Sequence, residues 1–373
     1  AAERTTARFH RVLDRVHGEP SAHAMGLKDQ LAVGIAAAAV VGLYVVWTRR
    51  KGRKDVRAKL QFQHPTNVPR TLITTGKVYV DRSTTGSDSP YVGLEFAPKE
   101  VLLRDGRGED LSLDDNGMLF TTHEGIGGIN FYNEDDIINK YYPMMEKLIM
   151  EKTGARRVIV FDHNVRKTAS HQKEGGDRIE GGNQVQVPLQ LVHGDYTLTS
   201  APLRIKMLAD KPKQNDTLAK VLNGKPVVDP KELMDILSSR YQFVNVWRSF
   251  ADTPILDQPL AVCDGSSVPP DDLVVYEVRY TDRTGENYFA RHSRGHRWYH
   301  FPQMTKDEVL FLKCWDTLGR DFASLDGEGR PKGSPPPDAV KSTFSLHTAF
   351  SDPTTPKGAP PRESIEVRTV VLY

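Results

Sequence analysis

Residues 191–197 read LVHGDYT, so His193 and Asp195 stand one residue apart directly after the apolar, strand-like run VPLQLV. In an extended chain, side chains two positions apart project to the same side, so this imidazole and carboxylate can reach one cation. Two imidazoles and one carboxylate on one face of a metal leave three coordination positions open, the arrangement that holds ferrous ion for oxygen chemistry. A His-x-Asp pair alone is equally a polar turn at a strand end. Its meaning depends on a distant second histidine and on a partner for an anionic co-substrate.

Two places offer that histidine. One is the cluster RHSRGHRWYHFP, with His292, His296 and His300; the other is His347 in FSLHTAFSDP. An oxygenase that consumes 2-oxoglutarate must neutralise the remote carboxylate of the keto acid. Arginine does this best, because its rigid fork pairs both carboxylate oxygens. His347 is followed by Arg362-Glu363-Ser364, whose arginine and hydroxyl lie two apart at the start of an expected strand and face the same way. The 292–300 cluster has no such Arg-x-Ser before His347. The expected metal ligands are therefore His193, Asp195 and His347, with Arg362 and Ser364 as the co-substrate site and Arg368, of the same parity, as the second candidate anchor. Trp247 and Arg248 in NVWRS, together with Trp298, are the expected substrate-pocket residues. The glycines of HEGIGGIN do not join a strand to a helix, which excludes a dinucleotide-binding turn.

The elements that must position these residues are mostly short strands: KVYVD, VGLEF, RVIVFDHNVR, YQFVNVWRSF, DLVVYEVRY, NYFARHS and SIEVRTVVLY. NEDDIINKYYPMMEKLIMEKTG reads as a helix, with acids in its first turns, apolar residues at 138, 141, 144, 145, 148 and 149, and Gly154 as its stop. DPKELMDILSSR reads as a second helix and TKDEVLFLKCWDTL as a third, each with an N-capping residue and acids. GEGRPKGSPPPD, residues 327–338, reads as a loop. The balance favours a mainly β fold with flanking helices, its core a double-stranded β-helix or jelly roll.

From about Lys77 to the C-terminus the chain resembles the gibberellin desaturase-like and cephalosporin hydroxylase-like group of Fe(II)/2-oxoglutarate-dependent oxygenases. The blocks that carry the likeness are TGARRVIVFDHNVR, VHGDYT, FVNVWRS, PLAVCD, HRWYHFPQM, DEVLFLKCWD, HTAFSDP and PPRESIEVR, in that order. The resemblance implies Fe(II) on His193, Asp195 and His347, 2-oxoglutarate on Arg362 and Ser364, and hydroxylation or desaturation of a small organic substrate.

The N-terminal part departs from that group. LAVGIAAAAVVGLYVVW, residues 31–47, is 17 residues without a charge, the lower limit for a spanning helix, with Tyr44 and Trp47 suited to an interface. Residues 49–59 carry seven Lys or Arg against one acid, and residues 11–30 carry three against three. The positive-inside rule then puts the C-terminal part on the cytosolic, matrix or stromal side. The Ala- and Arg-rich first twenty residues lack a starting methionine, as a mature end left by an organellar presequence does. The expected organisation is a 1–30 segment, a 31–47 transmembrane helix, a 48–70 basic linker and a 71–373 oxygenase-like domain. The expected location is the mitochondrial inner membrane with that domain in the matrix. An accessory subunit of an organellar membrane complex, with or without catalysis, is the alternative expectation, and it supplies other subunits as partners. With 50 basic and 48 acidic residues, overall charge gives no reason to expect nucleic acid. Two cysteines, Cys263 and Cys314, exclude a disulfide framework and a four-cysteine zinc site.

Overall fold

The long runs without polar alternation come from a small sheet that is buried on both faces. In the computed structural model, which describes residues 54–64, 72–85, 90–169, 172, 176–213 and 216–373, this sheet has five strands in the order β5-β13-β8-β15-β6. They are β5 (Met118–Thr122), β13 (Glu308–Asp316), β8 (Tyr241–Ser249), β15 (Glu363–Leu372) and β6 (Arg157–Lys167). One face, with Phe243, Trp247, Leu310, Leu312 and Val370, belongs to the main core. The other, with Val244, Val246, Phe311, Ile365 and Val367, packs with α1 (Tyr142–Thr153) in a second apolar cluster.

The larger sheet has ten strands in the order β1-β4-β12-β9-β14-β7-β11-β10-β2-β3. Its strands are β1 (Val56–Gln63), β2 (Tyr79–Asp81), β3 (Tyr91–Val92), β4 (Phe96–Asp105), β7 (His193–Gly194), β9 (Leu260–Cys263), β10 (Leu273–Arg279), β11 (Thr284–Ala290), β12 (Trp298–His300) and β14 (His347–Ala349). Most neighbours are antiparallel; β12 on β4 and β2 on β10 are the parallel pairs. The result is a mainly β molecule of two sheets around one core, with few helices, in agreement with the expected jelly roll.

Three expectations need correction. TKDEVLFLKCWDTL is a strand, not a helix: β13 buries every residue from Val309 to Asp316, and a strand covered on both faces shows a continuous apolar run that periodicity cannot tell from a buried helix. Residues 56–63, expected within a basic linker, form β1 and pair with β4 from Val56↔Leu103 to Gln63↔Phe96. The basic residues there alternate with buried Val56, Ala58, Leu60 and Phe62, so the charge marks one face of a strand. The helix near 134–153 begins with a turn at Glu134–Asp136 and a π turn at Ile137–Tyr141. That widened turn lies just before Pro143, which has no N–H to give to a regular helix. Residues 31–47 lie outside the described residues. Among those described, no helix is long and apolar enough to cross a membrane.

Gly265, just after β9, lets the segment leading into β14 lie against it. A Cβ there would sit 1.9 Å from the Phe344 carbonyl oxygen and 2.2 Å from Ser342 Oγ. Gly265→Ala should therefore cost roughly 1–3 kcal/mol, read as a fall in Tm; an unchanged Tm would contradict the close packing. A second test concerns His163 on β6, which is buried and shares a 2.7 Å hydrogen bond between its Nδ1 and Tyr142 Oη. Burial holds its imidazole down to about 4. Between pH 6.5 and 4 the unfolded chain takes up a proton that the folded chain refuses. Stability is therefore full above pH 6.5 and falls as pH drops, by up to about 3 kcal/mol. His163→Gln should flatten this slope in urea unfolding measured across that range, and an unaltered slope would show that His163 titrates normally.

Candidate metal centre

His193 and His347 come from distant parts of the chain but are direct register partners, because β14 pairs antiparallel with β7 at His347↔His193. β14 is held on its other edge by β9 at His347↔Val262. The two imidazole centroids are 4.4 Å apart. Asp195 follows at the end of β7, its backbone carbonyl accepting from Asn287 Nδ2 at 2.9 Å. Its Oδ1 lies 3.6 Å from His193 Nε2 and 4.0 Å from His347 Nε2. One nitrogen from each imidazole and one carboxylate oxygen lie within 4.8 Å of one another, all on buried residues. It is the one such group of metal-binding side chains among the described residues.

The surroundings fit a divalent cation. His193 Nδ1 lies 2.8 Å from the Leu191 carbonyl, so Nδ1 carries the proton and Nε2 keeps its lone pair for a metal. His347 Nδ1 makes a longer contact of 3.4 Å with the Ser345 carbonyl. Burial pushes the His193 imidazole down to about 4, with His347 adding to the shift, and lowers His347 as well. Both rings are therefore neutral at physiological pH. Burial alone would raise the Asp195 carboxyl, but the Arg368 guanidinium, with a hydrogen bond from Asn245 Nδ2, opposes it, and the carboxyl is held below the usual carboxylate range. Two neutral nitrogens and one carboxylate oxygen suit ferrous ion, with positions left open.

Arg362 is buried beside this centre. Its Nε donates to Ser364 Oγ at 3.0 Å and its Nη1 to the Gln258 carbonyl at 2.6 Å, and its backbone N–H reaches Thr168 Oγ1 at 3.2 Å. The guanidinium carbon lies 5.1 Å from the Trp247 ring centroid. Among the described residues no carboxylate lies within 4 Å of it, and burial with the nearby Arg166 lowers its pKa to about 9. A buried guanidinium without a carboxylate is a fitted receptor for one. His193, His347, Trp247 and Arg362 line one cavity, joined by Arg166, Glu366 and Arg368 and by Leu189, Leu260, Thr348 and Ala349.

Two expected pocket residues lie elsewhere. Arg248 is fully buried on the opposite face of β8 from Trp247, and its guanidinium donates to the carbonyls of His123 and Lys306. Trp298, on β12, packs edge-on against Phe62 in the larger sheet. His296 pairs with Asp272 at 3.1 Å and His300 bonds the Lys54 carbonyl at 2.8 Å, so that cluster is structural. Arg166 and Glu366 also line the site, and Asn245 Nδ2 donates to Asp195 Oδ2 at 2.7 Å. Their signal was parity: 364 and 366 continue from 362 on β15, Arg166 is the register partner of Ser364, and 245 precedes 247 by two on β8.

A family model described as an oxidoreductase/YMDC permease-like domain matches residues 65–372. The Fe(II)/2-oxoglutarate-dependent dioxygenase nvfI of Aspergillus novofumigatus is 30% identical over 287 residues, 75% of this chain and 85% of its own. The hydroxylase/desaturase efuI of Hormonema carpetanum is 29% identical over 299 residues, again 75% and 85%. Among solved structures, the iron and alpha-ketoglutarate-dependent endoperoxidase NvfI superposes with a TM-score of 0.63 at 24% identity, covering 85% of this chain and 98% of that one, a likeness of fold. With its buried His193–Asp195–His347 triad, the chain belongs to the Fe(II)/2-oxoglutarate-dependent dioxygenases, and Fe(II) and 2-oxoglutarate are its cofactors.

Proposed function

We propose that this dioxygenase hydroxylates or desaturates a small organic substrate and is tethered to a membrane by residues 31–47. The observation that carries the reading is the shared cavity, in which the imidazoles of His193 and His347 and the carboxylate-free guanidinium of Arg362 open onto the same space. The hydroxylase/desaturase relative supports the reaction type.

Bound together, Fe(II) and 2-oxoglutarate would supply oxidative decarboxylation coupled to oxidation of a substrate C–H bond, with dioxygen as the oxidant. The rest falls to the protein. His193 Nε2, His347 Nε2 and Asp195 Oδ1 would hold the metal from one side, which leaves the cavity side free for ligands. Arg362, braced by Ser364 and Gln258, would take the far carboxylate of the keto acid and so fix its direction. Leu189, Leu260, Trp247 and Ala349 keep water scarce around the reacting groups. Arg166 and Glu366 add polar groups to the same wall, suited to an oxygen-bearing substrate.

The tether rests on composition: an uncharged stretch of 17 residues is followed by a basic block, whose positive flank favours the cytosolic, matrix or stromal side for the dioxygenase domain, and the matrix side of a mitochondrial inner membrane is the location we propose. An accessory subunit without catalysis would not need an intact triad beside a buried arginine that meets no carboxylate among the described residues, so the enzyme reading is preferred.

Arg362→Met should raise the KM for 2-oxoglutarate roughly 10- to 100-fold, the loss of a charge-assisted pair, while Mn2+ affinity stays at the wild-type value. Succinate release in coupled assays reads the first and calorimetry the second. Unchanged KM would remove Arg362 from the co-substrate site. For the tether, the full chain should stay with membranes through alkaline carbonate extraction, and deletion of residues 31–47 should release it. Extraction of the intact chain would end the anchoring proposal.

A further inference from the structure

Arg368 sits where three carboxylates converge. Its Nη1 lies 3.1 Å from Asp162 Oδ2, its Nη2 3.5 Å from Glu366 Oε1, and its Nε 3.8 Å from Asp195 Oδ2. Asn164, with its amide oxygen turned towards the guanidinium, accepts from Nη1 and Nη2 at 3.1 and 3.0 Å. Asp162 is in turn held by Thr217 Oγ1, which donates to its Oδ1 at 2.5 Å. The backbone aims the side chain. A β-bulge falls here between β15 and β6: Arg368 opposes Asp162 and Thr369 opposes Val160, leaving Phe161 unpaired. Bulges of this kind re-aim side chains next to active sites.

The two oxygens of Asp195 have different surroundings. Oδ1 faces both imidazole Nε2 atoms. Oδ2 accepts from Asn245 Nδ2 at 2.7 Å, has Cys314 Sγ at 3.7 Å, and faces Arg368 Nε, a buried donor with no hydrogen-bond partner among the described residues. We propose that Arg368, fixed by Asp162, Asn164 and Glu366, is a positioning residue that holds Oδ2 of Asp195 away from the metal, so that Asp195 ligates through Oδ1 alone. This rests on the metal-site reading given above. Arg368 shares the cavity with Arg362, yet the two differ in the way this role requires. Among the described residues Arg362 has no carboxylate within 4 Å, whereas Arg368 faces three and has little left to offer a co-substrate. Outer partners of this kind commonly govern metal affinity, because they fix the orientation and charge of a ligand.

The test uses the full chain and Mn2+ titration by calorimetry, the visible charge-transfer band of the anaerobic Fe(II)–2-oxoglutarate complex, and thermal melting. Arg368→Met should weaken Mn2+ binding roughly 10- to 100-fold and shift the charge-transfer band, while 2-oxoglutarate affinity at saturating metal stays within about twofold of the wild-type value. Arg368→Lys should recover part of the loss, since it restores the charge without the three-way fork. Asp162→Asn, which keeps the shape and loosens the outer end of the fork, should weaken Mn2+ binding in the same direction, and this variant decides the matter should Arg368→Met fail to fold. Wild-type Mn2+ affinity in Arg368→Met, or in both Arg368→Lys and Asp162→Asn, overturns the proposal. So does a loss of 2-oxoglutarate affinity with metal affinity intact, which would make Arg368 a co-substrate anchor. A wild-type protein that takes up no Mn2+ fails at the earlier step and overturns the metal site itself.

Discussion

The register between two very short strands, β7 and β14, is the constraint on which the site depends. Side chains in a strand alternate faces, so a slip of one residue would send His347 to the other side of the sheet and leave His193 without its partner. Strands this short cannot fix their own register. β9 does it for β14 through three consecutive pairs, His347↔Val262 to Ala349↔Leu260, and β11 does it for β7 at Phe289↔His193. The near-contact of Gly265 with Phe344 and the bond from the Cys263 N–H to the Leu346 carbonyl hold the approach to β14 in place. The two histidine ligands are thus set by the middle of a large sheet, and Asp195 follows directly after β7.

A second constraint is electrostatic. The cavity wall contributed by the small sheet carries Arg362, Glu366, Arg368 and Arg166 within a few residues of Asp195, in a setting where most other neighbours are apolar. Unpaired, each of these charges would be costly to bury. Arg368 meets three carboxylates, Asp162, Asp195 and Glu366, and Glu366, whose carboxyl burial shifts upward, is the softest member of that group. Among the described residues neither Arg362 nor Arg166 has a carboxylate within 4 Å, and Arg362, buried and braced by Ser364, is the one marked for a ligand. The uneven pairing of two arginines six residues apart on one strand separates their roles better than sequence position does.

Much of the site was legible from spacing. His193 and Asp195 share a face because strand period is two, and Arg362 with Ser364 follow the same rule. His347 was distinguished from the 292–300 histidines by what lies downstream. The sheet-forming segments around Tyr241, Leu273 and Glu363 were also readable. β13 was not, because burial on both faces erases the alternation that identifies a strand, and its Thr-Lys-Asp-Glu start imitates a helix cap. Trp247 and Arg248 show a further limit. Neighbours on a strand must face opposite ways, but which of them faces the cavity is decided by the sheet packed above, and the structure gives the cavity to Trp247 and the outer layer to Arg248. Arg368 was legible by parity as a second candidate anchor, but the contribution of Asn245 and the contacts of Arg368 with Asp162 and Asp195 were hidden for a related reason: they depend on cross-strand register and on a bulge, neither of which leaves a local signature.

The most direct measurement of the central claim is anomalous diffraction from crystals grown with Mn2+ and 2-oxoglutarate. The expected result is one strong peak about 2.0–2.2 Å from His193 Nε2, His347 Nε2 and a single oxygen of Asp195, with the keto acid running from it to the Arg362 guanidinium. A metal bound away from His347, or a keto acid whose far carboxylate ignores Arg362, would contradict the account.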